Sequence, residues 1–237
     1  MTQFCFIKWP PLHAGTLVKR YKRFIADIST QNLGVITAHC PNSGSMAGCS
    51  EPGRPVYFSE SDNPGRRLKY TWELIEMPGS LVGTNTLVPN RLVRQCAEKG
   101  IFHEFAGYDS VRAEVRAGTN TRFDLMLEGP GLQRCYVEIK NCTLVEDGIA
   151  YFPDAKTERG RNHLKELQRQ VRLGHRGFMF FLIQRMDARQ FRPADRIDPA
   201  YGKELRQAVN NGVEILAYDV HIDTQGIRLR APVPWQL

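Results

Sequence analysis

The sequence predicts an α+β, mixed α/β chain in two parts: a small β-barrel over residues 1–85, then an α/β domain over residues 86–237. Three observations carry this. Up to residue 84, short β-like stretches alternate with turns rich in Gly, Pro, Asn and Ser, and no long helical periodicity interrupts them. Beyond residue 89, amphipathic helical patterns alternate with strands, as in a sheet covered by helices. A chain of 237 residues, 42% of them hydrophobic, carries enough apolar surface to build real cores.

The barrel comes first. Residues 15–29, 34–40, 55–59, 68–76 and 80–84 are five β-like stretches. An OB-type barrel closes its own edges at this size and offers a face to nucleic acid, while the composition fits an SH3-like barrel equally well. Within the first stretch lies the dense basic run Lys19-Arg-Tyr-Lys-Arg23. Alternation along one strand places Lys19, Tyr21 and Arg23 on one face and Arg20 and Lys22 on the other, so neither face can be buried. Such a segment meets phosphates, with Tyr21 as a surface for a base, or it is a charged strand end that resists edge-to-edge aggregation. Arg66, Arg67 and Lys69 form a second basic cluster with the same two readings. The loop Pro41-Asn-Ser-Gly-Ser-Met-Ala-Gly48 can bring backbone amides to a phosphate or serve as an ordinary connection. It lacks the lysine and following helix of a P-loop.

In the second domain, Leu92, Val93, Cys96 and Ala97 recur at helical spacing over residues 89–100, with Gly100 as a stop. Val111, Ala113 and Val115 then alternate with Arg112, Glu114 and Arg116, which reads as a strand. Two further strands, residues 121–127 and 135–140, flank the turn signal Gly129-Pro-Gly131. Leu164, Leu167 and Val171 mark one face of a helix over residues 157–173, which ends at Gly174 and gives way to the apolar run 177–183. A last helix over residues 201–211 leads to a strand over residues 213–218.

The second and third strands hold the chemistry. If residues 129–133 form the hairpin loop, Leu127 opposes Cys135 and Asp124 lies opposite Glu138. Glu138 and Lys140 share a face because they are two apart, while Val137 and Ile139 back them with apolar surface. Two carboxylates and an amine then converge. Magnesium takes one or two carboxylates plus water and phosphate, and an ammonium beside it can hold a water or a phosphate oxygen. The same three residues also read as a cross-strand salt bridge, which stabilises by at most roughly 1 kcal/mol.

Several neighbours bear on that patch. Glu114 is a third carboxylate if its strand faces the same cleft, or part of an Arg–Glu surface ladder with Arg112 and Arg116. Arg122 shares a face with Asp124 and can pair with it or reach a phosphate. On the following helix Arg159, His163 and Glu166 recur at helical spacing. Arg159 can contact phosphate, and His163 is either a proton carrier or an exposed histidine on a polar face.

Helix, three strands, helix and strand, with Asp124 on the second strand and Glu138-Ile-Lys140 on the third, resembles the PD-(D/E)XK nuclease superfamily, the restriction-endonuclease-like fold. Phe123 stands where that motif has Pro. From end to end the chain is similar to the sugar fermentation stimulation protein family. The blocks that carry the similarity include Leu17-Val-Lys-Arg-Tyr-Lys-Arg-Phe24, His39-Cys-Pro-Asn-Ser-Gly-Ser-Met46, Tyr136-Val-Glu-Ile-Lys-Asn141, Phe152-Pro-Asp154, Glu158-Arg-Gly160 and Phe191-Arg-Pro-Ala-Asp-Arg-Ile-Asp-Pro199. The resemblance implies an OB-like barrel ahead of a nuclease-like αβββαβ domain. It also implies a DNA-binding protein linked to regulation of sugar utilisation genes, a role that does not itself require cleavage.

Charge and composition set the remaining bounds. A formal charge of +7 favours a polyanionic partner, although modest positive charge also occurs in proteins that bind none. No apolar stretch approaches the roughly 20 residues of a membrane span and no leader pattern opens the chain, so a cytoplasmic protein is expected. Cys5, Cys40, Cys49, Cys96, Cys135 and Cys142 show no regular framework and are expected as reduced thiols. The expectation is a DNA-binding protein of low sequence specificity, contacting backbone through Lys19, Arg20, Tyr21, Lys22, Arg23, Arg66, Arg67, Arg122, Arg159 and His163. The alternative is a nuclease dependent on Mg²⁺, with Mn²⁺ as substitute, in which Asp124 and Glu138 hold the metal and Lys140 and Glu114 complete the catalytic set. Oligomeric state is not readable in the sequence, which is compatible with a homodimer.

Overall fold

The computed structural model describes residues 5–118 and 121–237, folded as a barrel and a layered α/β unit. The first described residues lie in the second of these. β1 (Phe6–Lys8) is an edge strand of the α/β sheet, Cys5, Ile7 and Trp9 lie in that unit's core, and the Trp9 indole donates to the Asp223 carbonyl at 2.8 Å. The assignment of residues 5–9 to the barrel therefore needs a correction. Apolar residues 5, 7 and 9 alternate along an edge strand whose buried partners come from the far end of the chain.

The barrel follows, built from β2 (Leu12–Tyr21), β3 (Ile25–Thr30), β4 (Gly34–His39), β5 (Pro55–Glu60), β6 (Tyr70–Met77) and β7 (Ser80–Gly83). Their order is β4-β3-β2-β5-β6-β7, and parallel pairing of Ala38 with Tyr70 and His39 with Thr71 closes the ring. Leu17, Ile28, Phe58 and Trp72 fill the interior. Where one stretch over residues 15–29 was expected, two strands meet at a tight turn: Lys22 and Arg23 adopt left-handed backbone, with φ 50° and 63°. No Gly or Pro signals the turn, and each such residue costs about 1–2 kcal/mol.

The α/β unit contains α1 (Leu87–Glu98), β8 (Ser110–Ala117), β9 (Thr121–Glu128), β10 (Cys135–Cys142), β11 (Leu144–Glu146), β12 (Ile149–Phe152), α2 (Glu158–Arg172), β13 (Arg176–Ile183), β14 (Gln190–Pro193), α3 (Pro199–Asn210), β15 (Glu214–Ile222) and β16 (Gly226–Pro232). Its main sheet runs β1-β16-β15-β13-β10-β9-β8, with β10, β13 and β15 parallel at the centre. β13 is apolar throughout because both its faces are covered. Phe178, Phe180 and Leu182 pack with Leu92, Val93 and Cys96 of α1, and Met179, Phe181 and Ile183 pack with Leu164 and Leu167 of α2 and Tyr201 and Leu205 of α3. Thr157 caps α2 by accepting from Gly160 N–H, and Asp198 caps α3 by accepting from Tyr201 N–H.

The barrel docks through its last strand. Gly83 N–H donates to the Gln184 carbonyl at 2.9 Å, the Ser80 hydroxyl accepts from Met186 N–H at 2.9 Å, and Leu74 of the barrel joins the core beneath α1. All six cysteines are free, buried thiols. No helix among the described residues is long and apolar enough to cross a membrane.

Candidate functional site

The hairpin between β9 and β10 pairs Leu127 with Cys135, Met126 with Tyr136 and Leu125 with Val137. One step further the pair would be Asp124 and Glu138. The ladder stops there because the Asp124 side chain takes a ladder position itself: Oδ2 accepts from Ile139 N–H at 2.7 Å, and Oδ1 accepts from the Asn90 amide of α1 at 2.7 Å. The neighbouring strand bends at the same level. Glu114 stands between the pairs Ala113–Leu125 and Val115–Phe123 with φ 57°, and Phe123 packs beneath α2 while Leu125 packs beneath α1. Asp124 thus sits where β9 changes face.

Glu138 is 2% exposed. Its Oε1 accepts from the Lys140 ammonium and meets His163 Nδ1 of α2, while Arg159 Nε donates to His163 Nε2 at 3.4 Å. With Nε2 accepting, the ring proton belongs on Nδ1, pointed at the carboxylate. Among the described residues Glu138 Oε2 has no hydrogen-bond partner. Burial and the charge of Glu138 push the Asp124 carboxyl up to about 6, against the pull of the Ile139 amide, Lys140 and Asn90. Burial also works to raise Glu138, but Lys140 and His163 together outweigh it and hold that carboxyl below its ordinary value. Of the two acids, Glu138 keeps the charge and Asp124 is the one that takes a proton.

These groups form the floor of a cleft of about 450 Å³ at the junction of barrel and α/β unit. Arg23 and residues 42–44 come from the barrel; Asn90, Asp124, Glu138, Lys140, Lys156 and Arg159 come from the α/β unit. Loop 41–46 walls one side. It is bonded to the start of α1 through Thr86 Oγ1 to the Pro41 carbonyl (2.7 Å), and to the far side through Ser45 Oγ to the Asp154 carbonyl (2.6 Å). Two of its amides are spent inside the protein, Gly44 N–H on Asn42 and Met46 N–H on Asp154. Those two are not available to the phosphate nest that the loop's composition allowed.

The remaining predicted residues separate into groups. Arg23 and Arg159 line the cleft, and His163 is buried behind it against Glu138. Arg20 supports the wall, donating to the carbonyls of Asn42, Gly44 and Ser45, each at 2.9 Å. Lys19 pairs with Asp27 and lies over the Tyr21 ring, whose hydroxyl donates to the same carboxylate. Lys22, Arg66 and Arg67 are exposed outside the cleft, and Arg66 donates to Thr71. Arg122 and Glu114 pair with each other at 3.4 Å on the outer surface, so the structure does not bring either to Asp124. Asn90 is the functional residue that sequence reasoning missed. Its signal was a polar residue three and seven positions before Val93 and Ala97, on the buried stripe of α1.

Arg20→Ala is expected to destabilise the fold by about 2–4 kcal/mol, because three carbonyls lose charge-assisted donors and the cleft wall loosens. Urea denaturation measures this; a change under about 0.5 kcal/mol would show that the wall stands without Arg20.

Comparison with known proteins agrees with this architecture. Residues 18–84 match the SfsA N-terminal OB domain, and residues 87–226 match the sugar fermentation stimulation protein RE domain. The chain belongs to the sugar fermentation stimulation protein family. It is 57% identical over 224 residues to the homolog from Geobacter sulfurreducens, covering 94% of this chain and 96% of that protein. It is 54% identical over 219 residues to that from Geotalea uraniireducens, covering 92% and 94%. The structure of Pyrococcus furiosus SfsA, solved in complex with Ca²⁺, superposes over the whole of both chains with a TM-score of 0.90 at 25% identity. The barrel is thus an OB domain and the mixed α/β unit is the family's RE domain.

Proposed function

We propose that this family member binds nucleic acid, DNA above all, in the junction cleft and hydrolyses a phosphodiester bond with a divalent cation held by Asp124 and Glu138. The observation that carries the reading is Glu138 Oε2, a buried carboxylate oxygen without a partner among the described residues, beside a second carboxylate driven towards protonation. Two acids that repel each other at a cleft floor suit a hard cation. Among the described residues no group of three or more His, Cys, Asp or Glu side chains could hold a metal ion. The ion proposed is one content with two carboxylates and otherwise water and phosphate, as magnesium is. That the Pyrococcus furiosus protein was solved in complex with Ca²⁺ agrees with an oxygen-seeking cation.

When bound, such an ion supplies a Lewis acid for the phosphoryl oxygens and an acidified water. The chain's own residues do the rest. Asn90 and the Ile139 amide fix the Asp124 carboxylate, and His163 fixes Glu138. Lys140 stands beside Glu138 with 15% of its side chain exposed, placed to orient water or to neutralise charge developing on phosphorus. Arg23, Lys156 and Arg159 at the rim meet backbone phosphates. Water adds to phosphorus and the bond to the leaving oxygen breaks, giving a phosphomonoester and an alcohol.

Binding without turnover is the second reading, favoured by one observation: Lys140 already pairs with Glu138, and His163 hydrogen-bonds it, without a divalent cation. A role in regulating sugar utilisation genes would then follow from occupancy of DNA. Base reading by a helix-turn-helix is not supported, since α2 and α3 are separated by β13 and β14. Incubation with labelled DNA and RNA in Mg²⁺, Mn²⁺ or chelator separates the readings. Cleavage that chelation abolishes supports hydrolysis; salt-sensitive binding without any cleavage leaves the binding reading alone.

A further inference from the structure

We infer that the cleft accepts a single strand of nucleic acid and not a duplex, with Arg23 and Arg159 on its backbone and Phe24 beneath an unpaired base. The inference rests on the nucleic-acid reading above and specifies its substrate.

Depth is the first argument. Glu138 is 2% exposed and Lys140 only partly exposed, so a scissile phosphate must descend to the floor, which the phosphates on a rigid duplex rod cannot do past a wall. That wall is fixed: loop 41–46 is bonded to Thr86 on one side and Asp154 on the other, and a Cβ at Gly44 would meet the Asp154 carboxylate at 2.6 Å. A flexible strand can bend to reach the floor.

The second argument is independent of the cleft's shape. Phe24 follows the two left-handed residues Lys22 and Arg23 and is 48% exposed, a large apolar ring next to two cations in a turn. Neither the barrel interior nor the junction core takes its side chain. An exposed ring beside phosphate-binding cations is the arrangement that receives an unstacked base, which a single strand offers and a duplex withholds. Tyr21, the aromatic that sequence suggested for this task, is occupied by Lys19 and Asp27.

Fluorescence anisotropy tests this with one labelled 20-nucleotide sequence presented as a single strand, as a blunt duplex, and as a duplex with a single-stranded overhang, in chelator and in Ca²⁺. The single strand is expected to bind at least tenfold tighter than the blunt duplex, with the overhang recovering most of the difference. Phe24→Ala should weaken single-strand binding about tenfold and leave duplex binding unchanged, while Phe24→Trp retains it. Equal affinity for strand and duplex, or an equal loss on both with Phe24→Ala, overturns the inference and leaves the nucleic-acid reading intact. Failure of every form to bind, in either condition, removes that reading and the inference with it.

Discussion

Glu138→Ala is expected to lower metal-dependent cleavage by about 10³-fold or more while nucleic-acid affinity stays within a few-fold of wild type or rises. Charge stabilisation by a bound cation is worth several kcal/mol, at 1.36 kcal/mol per tenfold, and half of the carboxylate set is lost with this side chain. Affinity should hold because the phosphate-binding cations at the rim are untouched, and Lys140, released from Glu138, becomes available to the backbone. Glu138 is buried against His163, so truncation can also loosen the fold. Glu138→Gln serves as the second variant: its amide oxygen still accepts from His163, but it brings no charge to a cation. Both variants should lose cleavage together, measured as single-turnover rates on protein shown to be folded by circular dichroism. Retention of cleavage within tenfold of wild type in Glu138→Gln would place the chemistry elsewhere.

Much of this site could be read along the chain because strand geometry is a local property. The turn Gly129-Pro-Gly131 and the alternation on either side set the pairing of Leu127 with Cys135, from which the convergence of Asp124, Glu138 and Lys140 follows. Helix faces were equally legible: the Leu164 and Leu167 stripe of α2 and the Leu92, Val93 and Cys96 stripe of α1 both lie in cores. What escaped depends on long-range or strained geometry. β1 pairs with β16 across nearly the whole chain, and no local pattern announces such a partner. The turn at Lys22 and Arg23 uses left-handed residues without Gly, so alternation ran through it and assigned faces to side chains that are not on a strand. Glu114 and Arg122 were placed by strict period-two alternation, which fails at the bend where Glu114 is left-handed and β9 changes face. His163 is buried because β10 presents a carboxylate to that side of α2, and a histidine at the margin of an apolar stripe does not reveal which neighbour it will meet.

Asp124→Asn is expected to stabilise the cation-free protein at pH 7.5 by about 1–3 kcal/mol. The reasoning starts from the carboxyl's position, pushed up to about 6 in the folded protein from 3.8 in an unfolded chain. A raised value means that the folded state binds the proton more tightly. Between about pH 4 and pH 6 the folded state therefore holds more protons than the unfolded one, stability falls as pH rises, and the loss persists above pH 6. The gap of about 2 pH units, at 1.36 kcal/mol each, bounds the effect near 3 kcal/mol. Asparagine removes that charge at all pH values and still accepts from Ile139 N–H, while Asn90 can turn its own amide to match the new donor. Thermal scans should show the variant ahead by about 2–4 °C per kcal/mol at pH 7.5, with the two proteins converging near pH 4. Mg²⁺ should then reverse the order. An ion that binds only the folded wild type stabilises it by about 2.7 kcal/mol at a hundred times its dissociation constant, and the variant, lacking one of two carboxylates, should respond far less. A variant less stable than wild type in chelator at pH 7.5, or an equal response of both proteins to Mg²⁺, would show that Asp124 is a structural hydrogen-bond acceptor and not half of a cation site.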